Sequence, residues 1–492
     1  MSRINTNVAS MNAIHNMIAN NGKLNTSLQR LSSGLRINTG KDDPAGLIAS
    51  ETLRSEIRGI EKGIKNSERA SSVIATAEGA LNEISSLLLD IKGLLVESAN
   101  KGALASSEID ANQLQVDSAI NSIERISNST QFNGVKLLNG NLSYSTTSVN
   151  ALELQQVRIQ SAKLIDGADM IVDVQVTASA QTGSVFMSGA GLSSSGSLTI
   201  QLGSNRGSTE LTFAASAGIS AMAESVNAVK EITGVSAFIS GTTASLNSVD
   251  FGTDSFVSIE VLGADDWENM NSGLPLGMQI MLSSQNPDIG DQGSLKDYGI
   301  DVTATVNGAL TTGKGRELTV RTAILEAIID LSIAQSMSTT SSSFAITGGG
   351  ADFAIGAQVD AIGLASIAIQ SVAPSQLGNV TDGFLNSLKS GKAQEMKGTK
   401  LMTAQRVIDS AIENIAVMRG RLGSFQRNVL ETNMNSLRIS MENVTSAESS
   451  IRDTDFATET AAMTRAQILI QANTQILAVA NSLPQNVLAL LG

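Results

Sequence analysis

The chain has 492 residues, of which 42% are hydrophobic and 3% aromatic, so its cores must be largely aliphatic. A formal net charge of −13 and a pI near 4.7 exclude a basic nucleic-acid-binding surface. With no cysteine and a single histidine, His15, the chain can form neither disulfides nor a Cys/His metal cluster. The sequence contains no apolar run of about 18 residues, so no membrane-spanning helix is predicted.

The first predicted element is an amphipathic helix from Asn5 to Leu35. Arg3, ahead of it, is followed by polar residues instead of an apolar stretch, so we expect no cleaved signal peptide. Within the helix, leucines repeat at spacings of four, three and four, which predicts a narrow seam that needs a partner helix. We therefore predict an assembly interface at Leu24, Leu28, Leu31 and Leu35.

A long second helix is predicted from Asp43, an N-cap before a proline at the first helical position, toward Asn100. Its apolar residues then alternate spacings of three and four without a break, which is typical of a coiled coil. These positions are Ile74, Ala77, Leu81, Ile84, Leu88, Ile91 and Leu95. All of them except Ala77 are predicted rod-core residues, together with Ile408, Ile412, Ile415 and Leu422. A third helix follows Gly102 and has an inner face of Ile109, Val116, Ile120 and Ile123.

The middle of the chain, between about Asn139 and Gly391, is rich in Gly, Ser, Thr and Val. Alternating patterns predict strands at Ile171 to Val176, Leu198 to Leu202, and Phe256 to Val261. Two helices are predicted among them, one from Ile219 to Val229 and one from Leu318 to about Ile333. The order of strands and helices favours small α+β modules.

A further long helix with a heptad pattern is predicted near the C-terminus. It carries two successive apolar stripes, and the register of the second is shifted by one residue from that of the first. The shift predicts that the apolar face turns by about 100° between the two halves of this helix. The first stripe consists of Ile408, Ile412, Ile415, Met418, Leu422, Phe425 and Val429, and the second of Leu430, Met434, Leu437, Met441, Val444 and Ile451.

The last predicted helix runs from Asp453 to Leu491 and carries two apolar seams. A single intrachain helix cannot cover both seams, so we expect other copies of the chain to cover the remainder. One seam consists of Met463, Ala466, Ile470 and Leu477, and the other of Ile468, Ala472, Ile476, Val479 and Leu483.

These elements predict a mainly α fold with an inserted α+β, β-rich middle. Both termini would form a long antiparallel coiled-coil rod from which variable outer domains are looped out. We expect a terminal assembly domain (1–43 plus 453–492), a helical rod core (44–150 plus 392–452) and a variable surface region (151–391). No pattern indicates a catalytic, cofactor or metal site, so an enzyme is not expected.

Several long motifs give the chain a resemblance to the bacterial flagellins. Near the N-terminus these are RINTNVASMNA, LQRLSSGLRIN, KDDPAGLIASE and SNSTQFNGVKLLNG. At the other end they are ENVTSAESSIRDTDFATETAAMTRAQILIQA and PQNVLALLG. More weakly, SLTIQLGSNRG, GISAMAESVNAV and FGTDSFVSIEVLG resemble a flagellin insert module.

The resemblance implies a structural subunit of the flagellar filament that polymerises helically outside the cell. It implies type III export of the unfolded chain, a cytosolic chaperone on the C-terminal helix, and contacts with the flagellar export apparatus, cap and hook-junction proteins. It implies neither nucleic-acid binding nor membrane insertion. Two alternatives stay open: a hook–filament junction protein, and an adhesin or enzyme displayed by the middle of the chain.

Overall fold

A computed structural model describes residues 6–164, 168–189, 197–264, 278–282, 287–289, 294–360, 362–396 and 400–491. The chain forms two compact units, each built from separate stretches of sequence. The terminal unit comprises Met1–Arg69, Ala354–Leu364 and Val429–Gly492, and the central unit comprises Ala70–Phe353 and Ala365–Asn428. Both chain termini thus belong to one unit.

The helices of the described residues include a π-helix (Phe425–Glu431) and a 3-10 helix (Leu385–Leu388). The α-helices are α1 Val8–Ser33, α2 Pro44–Ser98, α3 Ser106–Ser129, α4 Ile219–Ala228, α5 Lys230–Thr233, α6 Ile333–Ser336, α7 Leu401–Ser424, α8 Thr432–Arg452 and α9 Phe456–Leu491.

The ends of the terminal helices are set by capping residues. The Asn7 side chain accepts a hydrogen bond from the Ser10 N–H at 3.0 Å, and Gly34 ends α1 in the left-handed conformation. Leu35 therefore lies beyond the helix, which ends at Ser33, two residues before its predicted end. As predicted, α2 begins at Pro44, and the Asp43 carboxylate accepts the Gly46 N–H at 2.9 Å.

In the central unit, the predicted heptad of α2 is buried from Ile74 to Leu95. The inner faces of α3 and α7 are buried as well, and polar contacts join both helices to α2. Lys92 Nζ lies 2.7 Å from Asp409 Oδ1 on α7, and Asn112 Nδ2 on α3 donates to Ser98 Oγ at 3.2 Å. The aliphatic stripes of the three helices thus form one helical core.

In the terminal unit, the segment Ala354–Leu364 approaches α2 so closely that only glycine fits. A Cβ at Gly59 would lie 2.3 Å from the Ala357 carbonyl oxygen, and one at Gly63 would lie 2.8 Å from that of Gly356. Asn66 Nδ2 donates to the Ala354 carbonyl oxygen at 3.0 Å. The two helical glycines therefore admit this segment against the helix.

Where the C-terminal stripes shift by one residue, the helix is not a continuous α-helix. The π-helix Phe425–Glu431 lies between α7 and α8, and the shift from Val429 to Leu430 falls inside it. A π-turn takes up one more residue than an α-turn, so its position matches the one-residue shift between the stripes. The rotation of the apolar face by about 100° stays a prediction.

The strands of the described residues are short, and those whose pairing is described run antiparallel to their neighbours. They are β1 Gln131–Phe132, β2 Val135–Lys136, β3 Tyr144–Thr147, β4 Leu154–Ala162, β5 Met170–Ala178, β6 Ser184–Gly189, β7 Leu198–Ser204, β8 Gly207–Phe213, β9 Val235–Ser240, β10 Thr243–Ser248, β11 Phe256–Ala264, β12 Met278–Leu282, β13 Pro287–Ile289, β14 Ser294–Tyr298, β15 Thr303–Val306, β16 Ala309–Leu310, β17 Thr312–Lys314, β18 Glu317–Arg321, β19 Leu325–Leu331, β20 Ser341–Gly349, β21 Ala351–Ala354, β22 Leu364–Ile367, β23 Gly378–Asn379 and β24 Gly383–Phe384.

The larger sheets of the central unit enclose two separate aliphatic cores. Sheets β16-β15-β5-β20-β3 and β17-β18-β19-β4 supply the first core, which includes Val174, Ile329 and Phe344. Sheets β12-β6-β10-β9 and β13-β14-β11-β7-β8 supply the second, to which α4 adds Met222 and Val226. The predicted α+β modules and the helix at Ile219 are therefore confirmed.

The predicted helix from Leu318 to about Ile333 was wrong, because this stretch forms β18, β19 and the one-turn helix α6. Leu325, Ala327, Ile329 and Leu331 are buried in alternation with more exposed neighbours, which is the period of a strand. Good helix formers such as Leu, Glu and Ala fill the stretch, but pairing with β4 decides its conformation.

Candidate assembly surface

Helices α1 and α9 pack against each other in antiparallel orientation. Asn7 Nδ2 donates to the Ala480 carbonyl oxygen at 2.7 Å, and at the other end Arg30 Nη1 lies 3.5 Å from Glu459 Oε2. These contacts at both ends fix the register of the pair. The most buried seam positions recur every seventh residue and are Ala13, Asn20 and Ser27 on α1 and Ala466, Asn473 and Ala480 on α9.

Larger side chains fill the seam between these positions and are half-buried. They are Met17, Leu24 and Leu31 on α1 and Met463, Ile470 and Leu477 on α9. Because the fully buried members are small or polar, this seam buries little apolar area per turn. The pair is therefore held weakly compared with the aliphatic core of α2.

The opposite faces of both helices expose large apolar side chains to solvent. On α9, Ile468 and Val479 are each 60% exposed and Ile476 is 54% exposed. On α1, exposed apolar residues occur over its first half: Val8, Met11, Ile14 and Ile18. Contiguous apolar patches of this kind mark interaction surfaces. We call the two faces together the outer faces of α1 and α9.

The predicted interface residues divide between the seam and the outer faces. Leu24, Leu31, Met463, Ile470 and Leu477 lie in the seam, whereas Leu28 is 46% exposed and lies off it. Leu35 lies in the connection after α1, and Leu483 lies outside the side chains that the structure describes. The outer face of α9 carries Ile468, Ile476 and Val479.

The predicted rod-core residues lie in the central unit. Nine are buried and Ile412 is half-buried; the buried ones are Ile74, Leu81, Ile84, Leu88, Ile91, Leu95, Ile408, Ile415 and Leu422. The sequence prediction missed the small and polar seam residues of α1, because only leucines were counted as seam members. Their seven-residue spacing was the signal that could have revealed them.

Charge is sparse in both terminal helices, in contrast to the acidic chain as a whole. The first acidic residue of the sequence is Asp42, and the last charged residue is Arg465. Among the residues of α9 only Glu459 and Arg465 are charged, and Glu459 is paired with Arg30. Apart from Arg465, the outer faces therefore offer apolar and amide groups that a neighbour can cover without burying unpaired charge.

The connections after α1 and before α9 are joined to each other. Leu35 and Asp453 form an antiparallel bridge, in which the Arg36 N–H donates to the Arg452 carbonyl oxygen at 2.7 Å. On its other side the Thr454 N–H donates to the Gly34 carbonyl oxygen at 2.9 Å. The C-terminal end of α1 and the start of α9 are therefore held together at one point.

Carboxylates around this bridge hold their charge more readily than usual. The Thr39 N–H lowers the pKa of Asp42, and the Arg452 guanidinium, 3.0 Å from Glu51 Oε1, lowers the pKa of Glu51. At the start of α9, the Thr458 hydroxyl and N–H lower the pKa of Asp455. Ionised carboxylates thus order both connections near neutral pH.

A group of half-buried charged side chains in the central unit lies on adjacent strands. Glu317 and Asp330 oppose each other on β18 and β19, and Arg158 Nη2 on β4 lies 2.9 Å and 3.3 Å from their carboxylates. Burial raises the pKa of both acids. The arginine offsets the repulsion between like charges, which is a structural role.

The described residues hold no group of three or more His, Cys, Asp or Glu side chains that could bind a metal ion. Across the same part of the chain, every helix is too short or too polar to cross a membrane.

Comparison with known proteins identifies both helical ends. The family model of the bacterial flagellin N-terminal helical region matches residues 4–143, and that of the C-terminal helical region matches residues 406–491. Between them, the flagellin hook IN motif matches residues 197–250, which contain α4 and the four strands around it.

Curated relatives match the chain over its whole length. The B-type flagellin of Pseudomonas aeruginosa is 32% identical, and the flagellin of Salmonella choleraesuis is 30% identical; each match covers 99% of both chains. Among solved structures, the flagellar hook associated protein-3 of Legionella pneumophila is 13% identical, with a TM-score of 0.31, and the match covers 82% of this chain and 98% of that one.

Proposed function

The chain belongs to the bacterial flagellin family and is a structural subunit of the extracellular flagellar filament, and from this premise we propose that copies assemble through the outer faces of α1 and α9. Flagellins are structural proteins of motility and not enzymes. The junction-protein alternative has less support, because both curated relatives described above are flagellins that match from end to end.

A single observation supports this surface: α9 has two apolar faces and α1 covers only one of them. Ile468, Ile476 and Val479 stay more than half exposed although their helix is packed along its other side. Burying a large aliphatic side chain contributes about 1.5–3 kcal/mol, so a neighbouring copy gains free energy by covering this face.

We further propose that the chain is divided into three functional parts. Residues 1–43 and 453–492 act as the assembly domain, residues 44–150 and 392–452 as the rod core, and residues 151–391 as the surface region. The placement of both termini in one compact unit supports the first assignment. The predicted interface leucines, including Leu28 and Leu35, belong to the assembly domain.

We also propose the partners of the chain before and during assembly. The uncharged C-terminal half of α9 suits a cytosolic chaperone that covers its apolar faces until export. The flagellar apparatus then exports the chain without signal cleavage. The exported chain contacts the cap and hook-junction proteins and joins a helical homopolymer.

Cysteine labelling tests the assembly surface, because the chain has no native cysteine. We expect Val479→Cys to react with a maleimide in the monomer and to be protected in the polymer. The matched control is Leu310→Cys, whose position is 79% exposed in the central unit and should react in both states. Equal labelling of Val479→Cys in monomer and polymer would exclude the outer face of α9 from the interface.

A further inference from the structure

The outer face of α9 carries a shallow depression beside a single charged side chain. Ala457 and Ala461 line it, together with Phe456 and Ile468, which are 59% and 60% exposed. Arg465 lies at its edge, and among the described residues it has no hydrogen-bond or ion-pair partner. We call this feature the α9 depression.

A partner for the α9 depression must supply an apolar side chain and, about one helical turn away, a carboxylate. The terminal helices of a neighbouring copy cannot supply the carboxylate. No acidic residue precedes Asp42, none follows Arg465, and Glu459 is already paired with Arg30. The carboxylate must come from another helix.

Few described helices present an exposed large apolar residue with an acid three or four positions away. Beside Ile48, Glu51 is already bonded to Arg54 and Arg452. Beside Leu114, Asp117 accepts a hydrogen bond from the Ser390 N–H at 3.0 Å, and Asp110 is not free either. These carboxylates are occupied and do not offer a free partner.

Two further pairs remain. Glu413 and Val417 line a polar cleft of the central unit, where Arg158 and Arg421 also face them. On α8, Ile439 is 62% exposed, Glu442 is exposed three positions later, and Glu442 has no hydrogen-bond or ion-pair partner among the described residues. The α8 pair is therefore the better complement to the α9 depression.

We propose that Ile439 of a second copy seats in the α9 depression while Glu442 of that copy pairs with Arg465; this contact rests on the assembly function proposed above. Ile439 and Glu442 are about 4.5 Å apart along the helix axis, and Ala461 and Arg465 about 6 Å apart, at 1.5 Å per residue. With the two helices parallel, both contacts form together.

The two contacts have different roles. The apolar contact buries hydrophobic surface, but it does not fix the position of the second copy along the aliphatic face of α9. The ion pair joins one position on α8 to one position on α9, and complementary charges at an interface fix register and exclude wrong pairings. The pair thus determines where along α9 the next subunit binds.

A charge-swap experiment on the full chain tests the pairing. Arg465→Glu, Glu442→Arg and the double variant are each polymerised alone, without wild-type protein, and the critical concentration for polymerisation is measured by sedimentation. We expect each single variant to raise it about tenfold or more, because like charges then meet, and the double variant to return within about threefold of wild type. Glu210→Arg, an exposed charge reversal on β8, should leave it unchanged.

Single variants that polymerise like wild type would overturn the proposal, as would a double variant no better than the worse single one. In both cases the proposed function stands if Val479→Cys stays protected in the polymer, and it fails separately if that protection is absent. Circular dichroism of the monomer checks that each variant folds. If a charge reversal unfolds α9, the neutral variants Arg465→Gln and Glu442→Gln and their combination form a double-mutant cycle. Purely additive effects of these two substitutions on the critical concentration would contradict the pairing.

Discussion

Replacing Ile468, Ile476 and Val479 together by serine should abolish filament growth and leave the monomer intact. All three side chains are more than half exposed in the single chain, so the folded monomer has little to lose. Surface substitutions of this kind usually change the free energy of unfolding by about 0.5 kcal/mol or less. The polymer, in contrast, loses the burial of the whole face.

The size of the loss follows from the exposed fractions. Exposures of 60%, 54% and 60% leave a little over half of each side chain to be covered by a neighbour. Full burial contributes about 1.5–3 kcal/mol per residue, so the three together lose about 3–5 kcal/mol per subunit. At about 1.4 kcal/mol per tenfold change, the critical concentration should rise by about two to three and a half orders of magnitude.

Seeded elongation followed by light scattering measures this effect, and thermal unfolding of the monomer measures the control quantity. The matched variant Leu152→Ser/Ile171→Ser/Leu310→Ser removes three exposed apolar side chains from the central unit and should elongate seeds normally. Elongation of the α9 variant within threefold of the wild-type rate would show that this face is not buried in the polymer. A monomer that unfolds many degrees lower would instead place these residues in an intrachain core.

The depressed pKa values of Asp42, Glu51 and Asp455 predict acid sensitivity. The stabilisation from these carboxylates is present above the unfolded-state pKa of about 4 and is lost as pH falls through the lower folded values, so hydrogen exchange of the Thr458 N–H, corrected for intrinsic rates, should accelerate below about pH 4. The Asp455→Asn variant should show a smaller acceleration. An exchange rate of wild type that does not change with pH would contradict the assignment. In the central unit, Gly313→Ala should lower the melting temperature, because a Cβ there would lie 1.7 Å from the Val302 carbonyl oxygen. Gly79→Ala on α2 meets nothing within 4 Å and should stabilise by up to about 1 kcal/mol; equal shifts in both variants would show that backbone contact at Gly313 is unimportant.

Sequence periodicity predicted the helices well because long aliphatic stripes have few alternative structures. The heptad of α2 and the capping carboxylate of Asp43 needed only local rules. The stretch after Leu318 failed because its strand partner, β4, lies far away in the sequence. Propensity cannot anticipate such pairing, and tertiary contacts overrode it.

The assembly surface was predicted in outline but not in detail. The two apolar faces of α9 were visible in the sequence, since both repeat at helical spacing. Which face α1 covers depends on close approach at Ala13, Asn20 and Ser27, and small or polar residues carry no hydrophobic signal. The π-helix was missed because a one-residue shift is compatible with either a turned face or an inserted residue.

The bridge between Leu35 and Asp453 has a mechanical consequence. Any load that draws one terminal helix out of its place also acts on the other. Backbone hydrogen bonds on both sides of the bridge, from Arg36 to Arg452 and from Thr454 to Gly34, must break before the helices can move independently. The two ends of the chain therefore bear force as one element, although most of the sequence lies between them.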